Sequence, residues 1–431
     1  MPAINPENTI FVALSFEGPD VYSQAGGLGV RMTELCRGLA EWGFETHLFF
    51  IGDPKKPEEE KHFNNKLILH RWCQWISKHH PNGVYQGEDG KINDYRNSIP
   101  HHLVENIIYP AALSNKRVVI LAEEWHTTST VIKLHHYLKA VGLRDFVIIF
   151  WNANNTYGFW NVEWESLKKA CTITTVSRYM KHIMWKYDIN AMAIPNGIPR
   201  RFLEPLDRRW VDYLRHIFHN KYFLVKFGRY TPDKRWVMAV ESIWKLKSMG
   251  EDSCLVMRGG MEPHRAEVMR AAKFLGLRVK ELESNEVGGR SFEEIAGALE
   301  KYRDYDIIEM KFFVPDEFRN LMFASADAVL ANSGHEPFGI VGLEVMATGG
   351  LPLVGTTGED YAQAFQNSIT VESDDPGEVA SYLKYLQENP GMIRKIRQQA
   401  QHTAQMYTWD RVLEDLLGKL EYIGRAFGVI G

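Results

Sequence analysis

Residues 332–350, NSGHEPFGIVGLEVMATGG, constrain the chain more than any other stretch. The apolar run Ala328, Val329, Leu330 before them reads as a buried strand. Pro337 falls where a first helical turn has no N–H bond to lose, and residues 338–347 are mostly helix-compatible. Gly349 and Gly350 then stop the helix before a second apolar run at 351–354. The order is strand, helix, strand, with the helix opening at the carboxyl end of the first strand, where α/β sheets hold ligands. The amides of Phe338, Gly339 and Ile340 are expected to be unpaired there and to favour an anion such as a diphosphate. Glu336 stands at the mouth and Glu344 two turns deeper, and a carboxylate accepts well from vicinal sugar or ribose hydroxyls. Residue types alone also fit a plainer reading, in which Glu336 caps the helix and Glu344 lies on its solvated face.

A chain of 431 residues is too long for one ordinary core and predicts two domains. Hydrophobic residues at 45% and charged residues at 24% fit a soluble globular protein. A formal charge of −4 argues against bulk electrostatic binding to nucleic acid or an anionic membrane. Cys36, Cys73, Cys171 and Cys254 show no metal-ligand or CxxC spacing and read as buried thiols in a reducing compartment. Residues 1–9 lack a basic segment with an apolar core behind it, and no apolar run approaches the roughly 20 residues that span a bilayer. The expected location is cytoplasmic, with no transmembrane segment and no nucleic acid among the partners.

The N-terminal half opens with an apolar strand at 10–16, a polar loop at 17–29 ending AGGLG, a helix at 32–42 and a strand at 47–51. Gly26, Gly27 and Gly29 let the backbone come close to a ligand at the helix entrance, although a tight turn alone uses glycine too. Residues 53–110 give no clear pattern: PKKPEEEK is a solvated run, and Trp72, Trp75, Tyr85 and Tyr95 suit domain packing better than carbohydrate stacking. A strand at 117–121 leads to Glu123-Glu124-Trp125-His126-Thr127, then a helix to 141. A strand at 146–151 leads to Asn152-Ala153-Asn154-Asn155. Residues 172–176 read as a strand and Ser177 as the cap of a helix, and the turn chemistry of IPNGI at 194–198 predicts a boundary.

In the C-terminal half a helix at 202–219 precedes a strand at 222–227. Gly228 to Lys234 then brings Arg229 and Lys234 to the entrance of a helix ending near 248. A strand at 255–260 follows, with Met261 offering no ring for a base, and residues 280–303 read as charged and peripheral. Residues 311–314 are expected as a strand and 315–324 as a helix, while Gly355 to Glu359 make a loop after the last core strand. Helices are expected at 376–388, 392–406 and 408–426.

The spacing of Glu336 and Glu344, with PFG after the first, resembles the donor-site signature of retaining GT-B glycosyltransferases, the group of glycogen and starch synthases. AGGLG resembles that family's KTGGLGD loop, EWHT its DWHT, NANN its TIHN, IPNGI its IPNGID, and GRYTPDK its GRxxxxK. The resemblance implies an α/β GT-B fold: two doubly wound Rossmann-like domains facing across a cleft. They would be an acceptor-side domain at 1–198 and a nucleotide-sugar donor domain at 199–408, with a C-terminal helix at 409–431.

By the same resemblance Arg229 and Lys234 hold the donor's phosphates, Glu336 the transferred sugar and Glu344 the ribose. Phe313 and Val314 lie near the base, and Asn154 occupies the place of a donor-sugar histidine. The implied reaction moves a hexosyl group from a nucleoside diphosphate sugar to a hydroxyl of a carbohydrate or small acceptor, with no cofactor and no metal. The sequence departs from the family at Gln24 for Lys, Val30 for Asp, Glu124 for Asp and Asn154 for His. An altered or non-catalytic nucleotide-sugar binder and a nucleotide-sugar epimerase are the alternatives. Nothing resembles the pyridoxal-phosphate lysine site of a phosphorylase.

Overall fold

A computed structural model describes residues 3–288 and 290–430. The chain forms two compact units, Met1–Gly197 with Trp409–Gly431, and Ile198–Thr408. The first is built on eight strands: β1 (Thr9–Leu14), β2 (Glu45–Ile51), β3 (Glu59–His62), β4 (Leu67–Trp72), β5 (Arg117–Glu123), β6 (Val147–Ala153), β7 (Thr172–Thr175) and β8 (Met192–Ala193). They lie in the order β3-β4-β2-β1-β5-β6-β7-β8. All pairs are parallel except β3 with β4. β1 and β6 are buried at every position, which is why they read as continuous apolar runs rather than alternating ones.

The helix Gly27–Glu41 turns Met32, Leu35, Cys36 and Leu39 into the core of this unit. Residues 53–110, opaque as sequence, contain β3, β4 and a helix Glu88–Leu103. Of their aromatics, Tyr95 is buried and donates to the Phe49 carbonyl at 3.0 Å, and the Trp72 indole donates to Ser98 Oγ at 2.7 Å. Trp75 and Tyr85 stay exposed.

The second unit has seven strands: β9 (Tyr222–Phe227), β10 (Ser253–Arg258), β11 (Val279–Leu282), β12 (Ile307–Met310), β13 (Ala328–Ala331), β14 (Pro352–Val354) and β15 (Ile369–Thr370). Their order is β11-β12-β10-β9-β13-β14-β15, parallel throughout. Two apolar clusters cover the two faces, one around Leu224 and Trp236, the other around Val225 and Phe323.

Three sequence expectations shift in this unit. The strand expected at 311–314 is β12, at Ile307–Met310. The buried Glu309 interrupts its apolar pattern and is tolerated because Arg265 and Tyr230 bind it. The helix expected from 202 begins at Arg208, where Asp207 Oδ1 accepts the Arg209 amide at 2.9 Å. Residues 280–303, expected to be peripheral, contain most of β11 and the helix Phe292–Lys301. That helix opens in a Ser291–Glu294 capping box and buries Ile295, Ala296, Ala298 and Leu299. Among the described residues no helix is long and apolar enough to cross a membrane.

Candidate functional site

In the second unit three loops meet beyond the carboxyl ends of β9, β13 and β14. The β9 loop passes through Arg229 to a single turn at Pro232–Lys234 and enters the helix Trp236–Ser248. The β13 loop joins it: the Gly334 amide donates to the Asp233 carbonyl at 2.7 Å, and the Lys234 ammonium pairs with the Glu336 carboxylate. Ser333 Oγ also donates to Glu336 Oε2, at 3.1 Å. Lys234 and Glu336, 102 residues apart, therefore form an ion pair largely shielded from water. The Arg229 side chain is exposed and has no partner among the described residues.

The third loop braces the second from the other side. Thr357 Oγ1 accepts the Glu336 amide at 2.9 Å and donates to the Glu336 carbonyl at 3.2 Å. The Tyr361 hydroxyl donates to the Gly339 carbonyl, and the buried Phe338 ring meets Tyr361 edge-on at 6.0 Å. Glu359 is buried against Gly339, where an added Cβ would lie 2.7 Å from its side chain. Its Oε2 accepts the Thr357 amide at 3.0 Å and its Oε1 has no partner. Burial and then the charge of Glu336 push the Glu359 carboxyl up to about 7.

The helix after β13 is Ile340–Ala347, two residues shorter at its start than the sequence suggests. Gly339, at φ −77° and ψ 73°, is not helical, and the Ile340 amide donates to the Phe338 carbonyl at 2.9 Å. Of the three amides expected to be unpaired, those of Phe338 and Gly339 remain so among the described residues, and that of Ile340 does not. Glu344 lies one turn into the helix, 3.9 Å from Arg319 Nη2, and burial raises its carboxyl above the usual range. The Arg319 guanidinium sits over the Phe202 and Phe323 rings. Phe313, in the loop after β12, is 62% exposed, whereas the Val314 side chain is packed in the core. Of the two residues expected near a base, Phe313 therefore presents its ring to solvent and Val314 does not present its side chain.

Beneath this site is a group the motif reading missed. Lys226, on β9, is buried and donates to the Leu330 carbonyl at 2.9 Å and to Asn332 Oδ1 at 2.7 Å, with the Trp236 ring 5.1 Å away. Burial pushes its pKa well below the usual lysine range. A lysine inside the apolar run Tyr222–Phe227 was the available signal.

In the first unit the glycine loop is already filled. Glu17 Oε2 accepts from the amides of Ala25 (3.2 Å), Gly26 (2.9 Å) and Gly29 (3.1 Å), and Oε1 accepts from the Tyr85 hydroxyl at 2.6 Å. The positive end of the helix Gly27–Glu41 is thus neutralised by the chain's own carboxylate. Gly26 and Gly29 thus turn their amides to Glu17. Gly27 alone of the three loop glycines has open space where a side chain would be.

Asn154 lies at the end of β6 over a buried polar cluster. Its side-chain amide donates to Glu123 Oε2, and its backbone amide donates to Glu124 Oε1 at 2.7 Å. Glu123 also receives Asn152 (2.8 Å) and Arg31 (3.3 Å), and Arg31 reaches Asn196. Glu124 holds φ 65° and ψ 165°, a region left almost entirely to glycine, and is 4% exposed. Burial pushes its carboxyl up to about 8, so it carries a proton at neutral pH.

Residues 25–202 match the model described as Glycosyltransferase Family 4, and residues 215–403 the model described as Glycosyl transferases group 1. A GDP-mannose-dependent alpha-(1-6)-phosphatidylinositol dimannoside mannosyltransferase of Mycobacterium tuberculosis is 25% identical over 237 residues, 54% of this chain and 52% of its own. The chain spans about half the length of the curated relatives it matches. Among solved structures, sucrose-phosphate synthase from Thermosynechococcus elongatus superposes with TM-score 0.66 at 15% identity, covering 97% of this chain and 100% of that one. The catalytic domain of starch synthase IV from Arabidopsis thaliana, bound to ADP and acarbose, gives 0.63 at 13%, covering 96% and 99%. With one family model on each unit and these folds beside it, the chain belongs to the GT-B glycosyltransferases and is similar to the glycogen and starch synthases.

Proposed function

We propose that the chain transfers a hexosyl group, glucosyl by its resemblance, from a nucleoside diphosphate sugar to a hydroxyl of a glucan or small acceptor, with retention at the anomeric carbon. The observation that carries this reading is the Lys234–Glu336 pair, set beside the exposed Arg229 and the unpaired amides of Phe338 and Gly339. Two cations and two amides suit a diphosphate, and a carboxylate beside them suits a sugar hydroxyl. In the reaction the bond from the anomeric carbon to the diphosphate oxygen breaks as the acceptor oxygen bonds to the same face. The acceptor's proton passes to the departing diphosphate. Charge grows on the leaving group, so Lys234 and Arg229 act most strongly in the transition state. Glu344 is assigned the ribose and Phe313 the base. Because Glu17 already binds the amides of Gly26 and Gly29, the diphosphate in this reading is assigned to the second unit's groups.

A mannosyl donor is the second reading, favoured by the GDP-mannose dependence named for the Mycobacterium tuberculosis relative. Incubation with labelled UDP-, ADP- and GDP-glucose and GDP-mannose, with maltooligosaccharide and monosaccharide acceptors, tests both. Transfer from a glucose donor to give an α-linked product supports the first reading, and transfer from GDP-mannose alone supports the second. Binding of a nucleotide sugar with neither transfer nor hydrolysis would make the protein a binder and sink both.

A further inference from the structure

Immediately after β6 the loop 154–162, NNTYGFWNV, alternates buried anchors with exposed rings. Phe159 is 2% exposed and packs edge-on against Trp164 (5.0 Å) and Tyr187 (5.4 Å). Gly158, at φ 76°, lies against the Trp125 indole so closely that a Cβ would be 2.2 Å from the ring. The Asn155 side chain accepts the Tyr157 amide at 2.7 Å, and the Asn161 amide donates to the Gly158 carbonyl at 2.9 Å. The loop is therefore held from inside, while Tyr157 and Trp160 stand out at 61% and 72% exposure. Their rings are 5.3 Å apart at 80°, and Trp125 is 6.5 Å from Tyr157. Large rings held rigidly in water at the carboxyl ends of a parallel sheet are a binding feature rather than a packing one.

We propose that Tyr157 and Trp160 form a stacking platform for a sugar residue of a neutral oligosaccharide or polysaccharide acceptor, an assignment that rests on the glycosyltransferase reading above. The electron-rich ring faces attract the C–H edges of a pyranose, and the exposed Thr156 and Asn161 beside them match its hydroxyls. The charge around the loop selects this occupant. Residues 152–162 contain no Lys, Arg, Asp or Glu, and Glu163 and Glu165 follow. The loop itself therefore supplies no cation to a phosphate or an anionic lipid headgroup.

The test is calorimetric binding of maltoheptaose and of a linear α-1,6-mannohexaose, without donor, to the full chain. The comparison proteins are a Tyr157→Ala/Trp160→Ala variant and a Tyr157→Phe/Trp160→Phe variant. Wild type and the Phe variant should bind at least one saccharide, and the Ala variant should bind it about tenfold or more weakly. Protection of tryptophan fluorescence from acrylamide by the saccharide in wild type checks the same contact without relying on the Ala variant's fold. The platform is overturned if wild type binds neither saccharide, or if the Ala variant binds as wild type does. It is also overturned if the rings instead mediate binding to phosphatidylglycerol vesicles or a dimer that the Ala variant loses on a sizing column. Nucleoside diphosphate binding, measured on the same proteins, reports separately on the glycosyltransferase reading, since saccharide binding needs no donor.

Discussion

A carboxylate and an ammonium that already satisfy each other are poorly placed to hold a substrate unless the substrate replaces one of them. Glu336 has Ser333 and Thr357 as further supports, and Lys234 has none but Glu336 among the described residues, so Lys234 is the more free to turn toward a diphosphate. Lys234→Ala should lower turnover by on the order of 10²–10³-fold, with a smaller change in the apparent donor KM. Steady-state kinetics with the best donor checks this, and near wild-type turnover would remove Lys234 from the site. Glu124 makes a different prediction. Its carboxyl lies near 8 in the folded chain against an ordinary 4.5, so the folded state holds a proton the unfolded state releases. That contribution is fully present below about 4.5 and is lost as pH rises through about 8. Melting temperature should therefore fall across this window, and Glu124→Gln, which keeps the shape without the charge, should flatten the fall. Glu359, near 7, adds a second, earlier component that the Gln variant leaves in place. An identical pH profile in Glu124→Gln would show that the carboxyl titrates normally.

At the scale of elements, the helix Gly27–Glu41 depends on a residue ten positions upstream of its first turn. Gly26 caps it with no side chain, and Glu17 supplies the acceptor for three loop and first-turn amides instead. Glu17→Ala should cost about 0.5–2 kcal/mol, the range for a lost helix cap, whereas Glu17→Gln keeps an acceptor and should cost less. Urea unfolding midpoints distinguish them, and inorganic phosphate should stabilise only the Ala variant, whose amides are released. Equal loss in both variants would mean that charge, not the acceptor, does the work. The same loop shows what a sequence can reveal. Its glycines and its place after β1 were legible, because strand, glycine turn and helix leave a local pattern. The carboxylate in the turn was not, because a loop residue 8 to 12 positions from the amides it binds leaves no periodicity, and its other partner, Tyr85, is 68 residues away. Likewise the motif carrying Lys234 and that carrying Glu336 were each readable, but their pairing across 102 residues was not. β12 was misplaced because Glu309 broke its apolar run, and only its bonds to Arg265 and Tyr230 explain why a charge sits there.

At the scale of the molecule, the chain leaves the first unit at Gly197, builds the whole of the second, and returns at Trp409. The return is a matter of packing. The helix Trp409–Ala426 puts Trp409, Val412, Leu413, Leu416 and Leu420 into the same core as Phe11, Leu35 and Ile148. A Cβ at Gly38 would lie 2.8 Å from Leu413 Cδ1, and one at Gly197 would lie 2.6 Å from the Trp409 ring, so the backbone and this helix pack closely at both points. The Trp42 indole donates to Asp410 Oδ1 at 3.1 Å and fixes the helix along its neighbour. This helix thus belongs to the core built on β1, β5 and β6. Leu413→Ala should then cost about 2–5 kcal/mol, the range for a large-to-small change in a tight core. Its effect should be confined by topology: amide exchange should quicken in β1, β5 and β6, while β9, β10 and β13 keep their protection. Gly38→Val, which overfills the same contact, should reproduce the pattern from the opposite side of the interface. If exchange rose equally in both sheets for either variant, the two units would unfold as one, and the closing helix would have to be counted as part of a single cooperative core rather than of the first unit.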